Sequence, residues 1–280
     1  MDPENKFRTL EPRMNTVNNR LGLALGAGGA KGLCHIAFLK VLDEMGVKPH
    51  VIAGTSIGAI IGSFYAAGLS GTELEEELRK IGLKDLSKVA LDFSLFNYSA
   101  ILKGKWLEEF LKLALPVQTF EELQIPLKVV ATDFWKRKEV VFDSGDLIGA
   151  VRASSAMPFV FEPVVLEGAV LIDGGAVNPL PYDLVQSECE FTIAIDASGT
   201  KDQPNGLVPN MLENVLSTFQ IMQASIVAAK MKAGPPDLYA KSGLRNIRSL
   251  DFYRYKEILS GVEEDVHQFR EKLKQYLMFL

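Results

Sequence analysis

The stretch Val51-Ile52-Ala53-Gly54-Thr55-Ser56-Ile57-Gly58-Ala59-Ile60-Ile61 narrows what this chain can fold into more than any other. Apolar residues run into Gly-Thr-Ser-Ile-Gly and out into a small-residue apolar segment that ends at Gly68. That order suits a buried strand, a sharp turn carrying one serine, and a helix beginning beneath it. Side chains in place of Gly54 and Gly58 would collide with the strand or the helix. Ser56 then projects alone, close to a helix N-terminus and the Ile57 N–H, where a developing negative charge is stabilised. Two other readings compete. Glycines packed at a helix start give the same spelling without chemistry. The 22 residues from Val51 to Thr72 also lack charge, a bilayer-spanning length with Gly54, Gly58 and Gly62 at small-xxx-small spacing. Their many Gly, Ala, Ser and Thr residues favour a helix packed on a sheet.

The chain is 280 residues long, 48% hydrophobic and 23% charged, which fits a globular α/β protein. A net charge of −5 argues against nucleic acid as the main partner and against a broad basic membrane-binding surface. Two cysteines, Cys34 and Cys189, without a Cys-x-x-Cys pattern predict buried free thiols in a reducing compartment. Three histidines without a His/Cys cluster make a zinc site improbable, and no cofactor is expected. Residues 1–20 are polar and lack the apolar core of a signal peptide. They are expected to form a mobile tail before one domain spanning 21–280, in a cytoplasmic protein.

Leu21 to Leu25 predicts a strand, followed by the glycine loop Gly26-Ala27-Gly28-Gly29-Ala30-Lys31-Gly32 and an amphipathic helix stopped at Gly46. Backbone N–H groups of such a loop can face an anion. A phosphate loop needs Gly-Lys-Ser/Thr at its end, and a dinucleotide loop needs glycine where Lys31 stands, so both nucleotide readings fail on residues. An oxyanion cradle remains, with a plain turn as its alternative. Further on, Thr72-x-x-Glu75 predicts a capping box, and Trp106 to Ala114 a helix stopped by Pro116. Leu127 to Asp133 and Phe191 to Asp196 read as buried strands. Phe134 to Phe142 reads as a hairpin whose basic tip, Lys136-Arg137-Lys138, is expected to be a solvated turn. Strands alternating with helices imply a mainly parallel central sheet flanked by helices on both faces, with helices alone beyond about residue 205.

A serine hydroxyl needs a base. His267 is the only histidine after Ser56, on a charged helix; His35 and His50 precede it and read as structural. A carboxylate must serve, from a buried site that raises its pKa. Asp173 ends an apolar strand and is followed by two glycines that free its turn; Asp133 and Asp196 also end strands and stay as alternatives.

The succession of glycine loop, Gly-x-Ser-x-Gly elbow and Asp173-Gly174-Gly175 resembles the patatin-like phospholipases, in particular the bacterial members. Ala-Ser-Ser-Ala-Met-Pro158 and Phe161-Glu-Pro163 lie between the second and third motifs. The likeness covers Leu21 to about Asp196 well and the remainder loosely. It implies a three-layer α/β fold, a catalytic serine at Ser56 and a catalytic aspartate at Asp173. The family's oxyanion loop falls on residues 27–32, with Ala27 in its first glycine slot and donors expected from Gly28 and Gly29. The implied activity is metal-free hydrolysis of acyl esters of phospholipids or related lipids by a Ser-Asp dyad. The alternative is a non-catalytic lipid- or acyl-chain-binding module on the same fold.

Val208 to Lys230 predicts an amphipathic helix whose polar face carries Asn, Ser, Thr and Gln, with Glu213 its only charge. Met211, Met222 and Met231 offer an adaptable lining. Plain core packing accounts for the apolar face as well. The sparsely charged polar face, which suits a membrane surface, leads to the expectation that the segment walls the acyl pocket and forms a lid or an interfacial contact beside Ser56.

Overall fold

The computed structural model describes residues 20–80, 105–202 and 208–279. Apart from Arg20, the expected tail falls outside them. The strands are β1 (Leu21–Leu25), β2 (Val51–Thr55), β3 (Leu127–Asp133), β4 (Lys138–Phe142), β5 (Val164–Leu166), β6 (Ala169–Asp173), β7 (Phe191–Asp196) and β8 (Leu238–Lys241). Between and after them come the helices α1 (His35–Glu44), α2 (Ile57–Ala66), α3 (Lys105–Ala114), α4 (Leu147–Ser154), α5 (Asp183–Gln186), α6 (Met211–Ala233), α7 (Tyr255–Ser260) and α8 (Glu263–Phe279). Residues 71–80 are also helical.

All eight strands form one mixed sheet, hydrogen-bonded along the path β5-β6-β3-β2-β1-β7-β8, with β4 paired to β3. Strands β3, β2, β1, β7 and β8 are parallel; β4, β5 and β6 join antiparallel. Strand alternation splits the core in two. Leu23, Leu25, Ile52 and Ile193 face a large aliphatic layer with Phe38 and Leu42 of α1, Ile61 of α2 and Phe269 of α8. Ala24, Val51, Ala53 and Ala194 face the other way, toward Val185 of α5 and Val227 of α6. Helices thus cover both faces, as expected from strands that are apolar on both sides.

Four expectations change. Strand β8 lies within the part read as purely helical; Leu-Tyr-Ala-Lys is too short to show a period, and it forms because β7 offers a parallel edge. The capping box is Ser70-x-x-Glu73, two residues before the one expected: Ser70 N–H and Oγ–H donate to Glu73 Oε2, and Glu73 N–H donates to Ser70 Oγ. Glu75 instead pairs with Lys40 and Arg79. Cys34 is buried but Cys189 is partly exposed, and both are free. Finally, α6 is exposed or half-buried along its length, with Val227 its one buried apolar residue among those described. The uncharged stretch after Val51 is a strand, a turn and a ten-residue helix. Among the described residues no helix is long and apolar enough to cross a membrane.

Pairing around β3 decides where the chemistry sits. Val130 pairs with Thr55 on one edge and Val141 on the other, while Ala131 pairs with Asp173 and Val140. Since β4 occupies the second edge throughout, β2 and β6 share the first. They run toward each other and end on consecutive residues of β3.

Candidate active site

At the end of β2 the backbone turns sharply. A Cβ on Gly58 would stand 2.1 Å from the Leu25 carbonyl oxygen, so β1 and α2 approach too closely for any side chain there. Ser56 holds φ 56° and ψ −122°, a conformation that costs a non-glycine residue about 1–3 kcal/mol. Its N–H donates to Ser154 Oγ at 2.8 Å, and its carbonyl accepts from Ala59 and Ile60 as the first turn of α2. The elbow read from the sequence is therefore present, with Ser154 bracing it from α4.

Ser56 Oγ–H donates to Asp173 Oδ2 at 2.7 Å, across 117 positions of sequence. Gly175 N–H donates to Asp173 Oδ1 at 2.7 Å, and Thr132 Oγ–H to the Asp173 carbonyl at 2.9 Å. The aspartate N–H is bound by the Ala156 carbonyl. Asp173 is only 2% exposed. Burial pushes its carboxyl up to about 6, against the lowering pull of the Ser56 hydroxyl and the Gly175 N–H.

Asp133, Asp196 and His35 are engaged elsewhere. Asp133 Oδ1 accepts from the N–H groups of Trp135 and Lys136 in the β3–β4 turn. Asp196 accepts from Ser198 N–H and the Tyr239 hydroxyl. His35 is fully buried, and its Nε2 meets the Gly26 carbonyl at 2.8 Å; burial holds its pKa down at about 4. His50 and His267 are exposed.

In the glycine loop, Gly29 has φ +58° and its Cβ would come within 2.5 Å of the Ser249 carbonyl oxygen. Gly26, Ala27 and Ala30 N–H donate to the carbonyls of Ile195, Pro179 and Ser249. Among the described residues, the N–H groups of Gly28 and Gly29 between them donate to no protein acceptor. Gly29 and Ser56 line the same cavity of about 170 Å³, walled by Ile57, Ile60 and Phe64 of α2, Phe110 of α3, and Met157 and Leu250. Lys31 is 4% exposed, and burial brings its ammonium down to about 8 beside Asp196 and Asp251.

A patatin-like phospholipase family model matches residues 23–185, more than half of the chain. The chain belongs to the patatin-like phospholipase family. It is 36% identical over 186 residues to an uncharacterized NTE family protein of Mycobacterium tuberculosis, across 66% of this chain and 51% of that one. It is 32% identical over 193 residues to patatin-like phospholipase domain-containing protein 6 of Homo sapiens, covering 67% of this chain and 14% of the human one. With Lysophospholipase NTE1 of Kluyveromyces lactis it shares 24% identity over 281 residues, 91% of this chain and 19% of that one. The chain thus spans about half the length of its mycobacterial relative. VipD from Legionella pneumophila is similar in fold at a TM-score of 0.50 and 13% identity, over 91% of this chain and 67% of VipD.

Sequence reasoning missed Ser154, Thr132 and the Gly175 N–H. The motif Ala-Ser-Ser-Ala-Met-Pro158 was visible, but nothing local says which serine turns toward the elbow. The wall expected from α6 is elsewhere: Val215, Phe219 and Met222 border a second hollow of about 280 Å³ with Met157, Pro158 and Phe159. Met157 lines both spaces.

Proposed function

We propose that this chain is a lipid acyl hydrolase in which Ser56 is the nucleophile and Asp173 the base. The observation that carries the reading is the 2.7 Å hydrogen bond between Ser56 Oγ and a buried Asp173 carboxyl with a raised pKa. Asp173 accepts the hydroxyl proton as Oγ attacks the ester carbonyl, then returns it to the leaving alcohol oxygen. Water takes the alcohol's place and gives a proton to Asp173 as its oxygen attacks the acyl carbon. Asp173 returns that proton to Ser56 Oγ as the C–Oγ bond breaks and the acid leaves. The Gly28 and Gly29 N–H groups, without acceptors among the described residues, suit the oxyanion, and the start of α2 at Ile57 adds a favourable dipole. The apolar-lined cavity at Ser56 suits an acyl chain.

The family name and the printed name of the yeast relative, a lysophospholipase, support a phospholipid or lysophospholipid ester as substrate. Residues 21–280 would form one catalytic unit, with α6 as its interfacial wall. Covalent labelling by a fluorophosphonate, in wild type beside Ser56→Ala, tests the reading. Labelling of wild type alone supports it, and absence of labelling in both leaves an acyl-binding module.

A further inference from the structure

The β3–β4 turn is more than a solvated basic loop. Phe134 is 45% exposed and Trp135 74%, and their rings meet edge to face with centroids 4.9 Å apart. Phe134 N–H donates to the Val170 carbonyl, one step beyond the Asp133–Leu171 pair, so Phe134 and Val170 project to the same face. Val165, paired with Val170 across β5–β6, extends that row and is 73% exposed. The next three residues, Lys136, Arg137 and Lys138, are all cationic and exposed. A chain of net charge −5 thus sets three cationic side chains beside an aromatic pair and an aliphatic row, with Lys136 paired to Asp133 Oδ2 at 3.3 Å and Arg137 and Lys138 beside it.

We infer that this hairpin docks the protein on an anionic phospholipid bilayer. Trp and Phe suit the headgroup boundary, where an apolar ring meets a wet interface. Cations of this kind are drawn to anionic leaflets rather than to neutral ones. The hairpin is also at the right end of the molecule. Thr55, next to Ser56, lies level with Val130, and β3 continues in the same direction to Asp133, roughly 10 Å farther on at about 3.3 Å per residue, where the turn carrying Phe134 and Trp135 begins. The carboxyl end of the sheet that bears Ser56 would thus face the membrane. The orientation draws on the lipid-hydrolase reading; the docking surface itself stands on the exposed residues.

The test uses the intact chain carrying Ser56→Ala, so that binding is read without turnover. Vesicles of phosphatidylcholine with phosphatidylglycerol should retain it by flotation, and pure phosphatidylcholine vesicles or high salt should retain less. Charge reversal at Lys136, Arg137 and Lys138 should weaken binding on the order of 100-fold, and Trp135→Ala about tenfold. With Trp106→Phe added, Trp135 is the sole tryptophan, and brominated lipid should quench it. Unchanged binding in the hairpin variants, or an unquenched Trp135, overturns the proposal. So does a dimer in solution that dissociates in Trp135→Ala while vesicle binding persists. In the otherwise wild-type chain, the hairpin variants should hydrolyse a short soluble ester at the normal rate. If the wild type cleaves no ester yet hairpin-dependent binding holds, the hydrolase reading alone fails.

Discussion

Thr55 and Asp173 lie opposite consecutive residues of one strand, Thr55 across from Val130 and Asp173 across from Ala131. Two strands remote in sequence therefore end head to head, and the residue after Thr55 meets the carboxylate that ends β6.

Ser56→Ala should abolish ester turnover, by about 10⁴-fold or more, together with fluorophosphonate labelling. Ser56→Gly should be as inactive but more stable than Ser56→Ala by about 1 kcal/mol, because glycine accepts φ 56° freely. Urea titrations of the two variants check this. Equal stability would mean that the elbow stores no strain, and normal turnover in either would end the assignment.

Turnover of a soluble ester should rise with pH through about 6 and then level off, since only ionised Asp173 can take the serine proton. His267→Ala and His50→Ala should keep that profile. A limb that disappears in His267→Ala would replace the dyad with a triad.

Asp173→Asn should lose activity by orders of magnitude and yet gain stability at neutral pH. The folded pKa of about 6 lies above the ordinary 3.8, so this carboxyl favours folding below the lower value. That contribution is lost as pH rises through the upper one. Removing the charge should stabilise by up to about 3 kcal/mol near pH 8 and by less near pH 5. A variant less stable than wild type at both would show that the ionised group is better satisfied than its burial implies.

Ser154→Ala removes the acceptor of the Ser56 N–H and should cost about 1–3 kcal/mol, with reduced kcat as the elbow relaxes. Ser154→Thr, which keeps the hydroxyl, should recover part of both. Full activity and stability in the alanine variant would remove Ser154 from the support of the elbow.

Met222 is 59% exposed on α6, so Met222→Lys should change stability by no more than about 0.5 kcal/mol. If α6 is an interfacial wall, that variant should lose turnover of long-chain esters or vesicles while keeping that of a short soluble ester. Equal loss on both substrates would return α6 to a purely structural part.

The elements with strong local signals were legible. β1, β3 and β7 occupy the residues their apolar runs mark, and Gly46, at φ +67°, ends the first helix as expected. Motif chemistry singled out Ser56 and favoured Asp173 among three strand-ending acids. Spacing on the chain could not show that Asp133 and Asp196 spend their oxygens on local N–H groups and the Tyr239 hydroxyl.

What the sequence by itself determined is therefore short in range: apolar periods, a glycine-bounded serine turn and an acid freed by following glycines. Strand and helix periods, and the room glycines leave, act within a few residues. Tertiary structure decided the rest. The register of β3 against two different strands places Ser56 Oγ on Asp173, α4 delivers Ser154, and the sheet edge recruits β8. Exposure divides in the same way: Phe134 and Trp135 look like any apolar pair in the sequence, and only the end of the β3–β6 ladder leaves them facing water. These outcomes depend on contacts between distant segments, whose register no local pattern specifies.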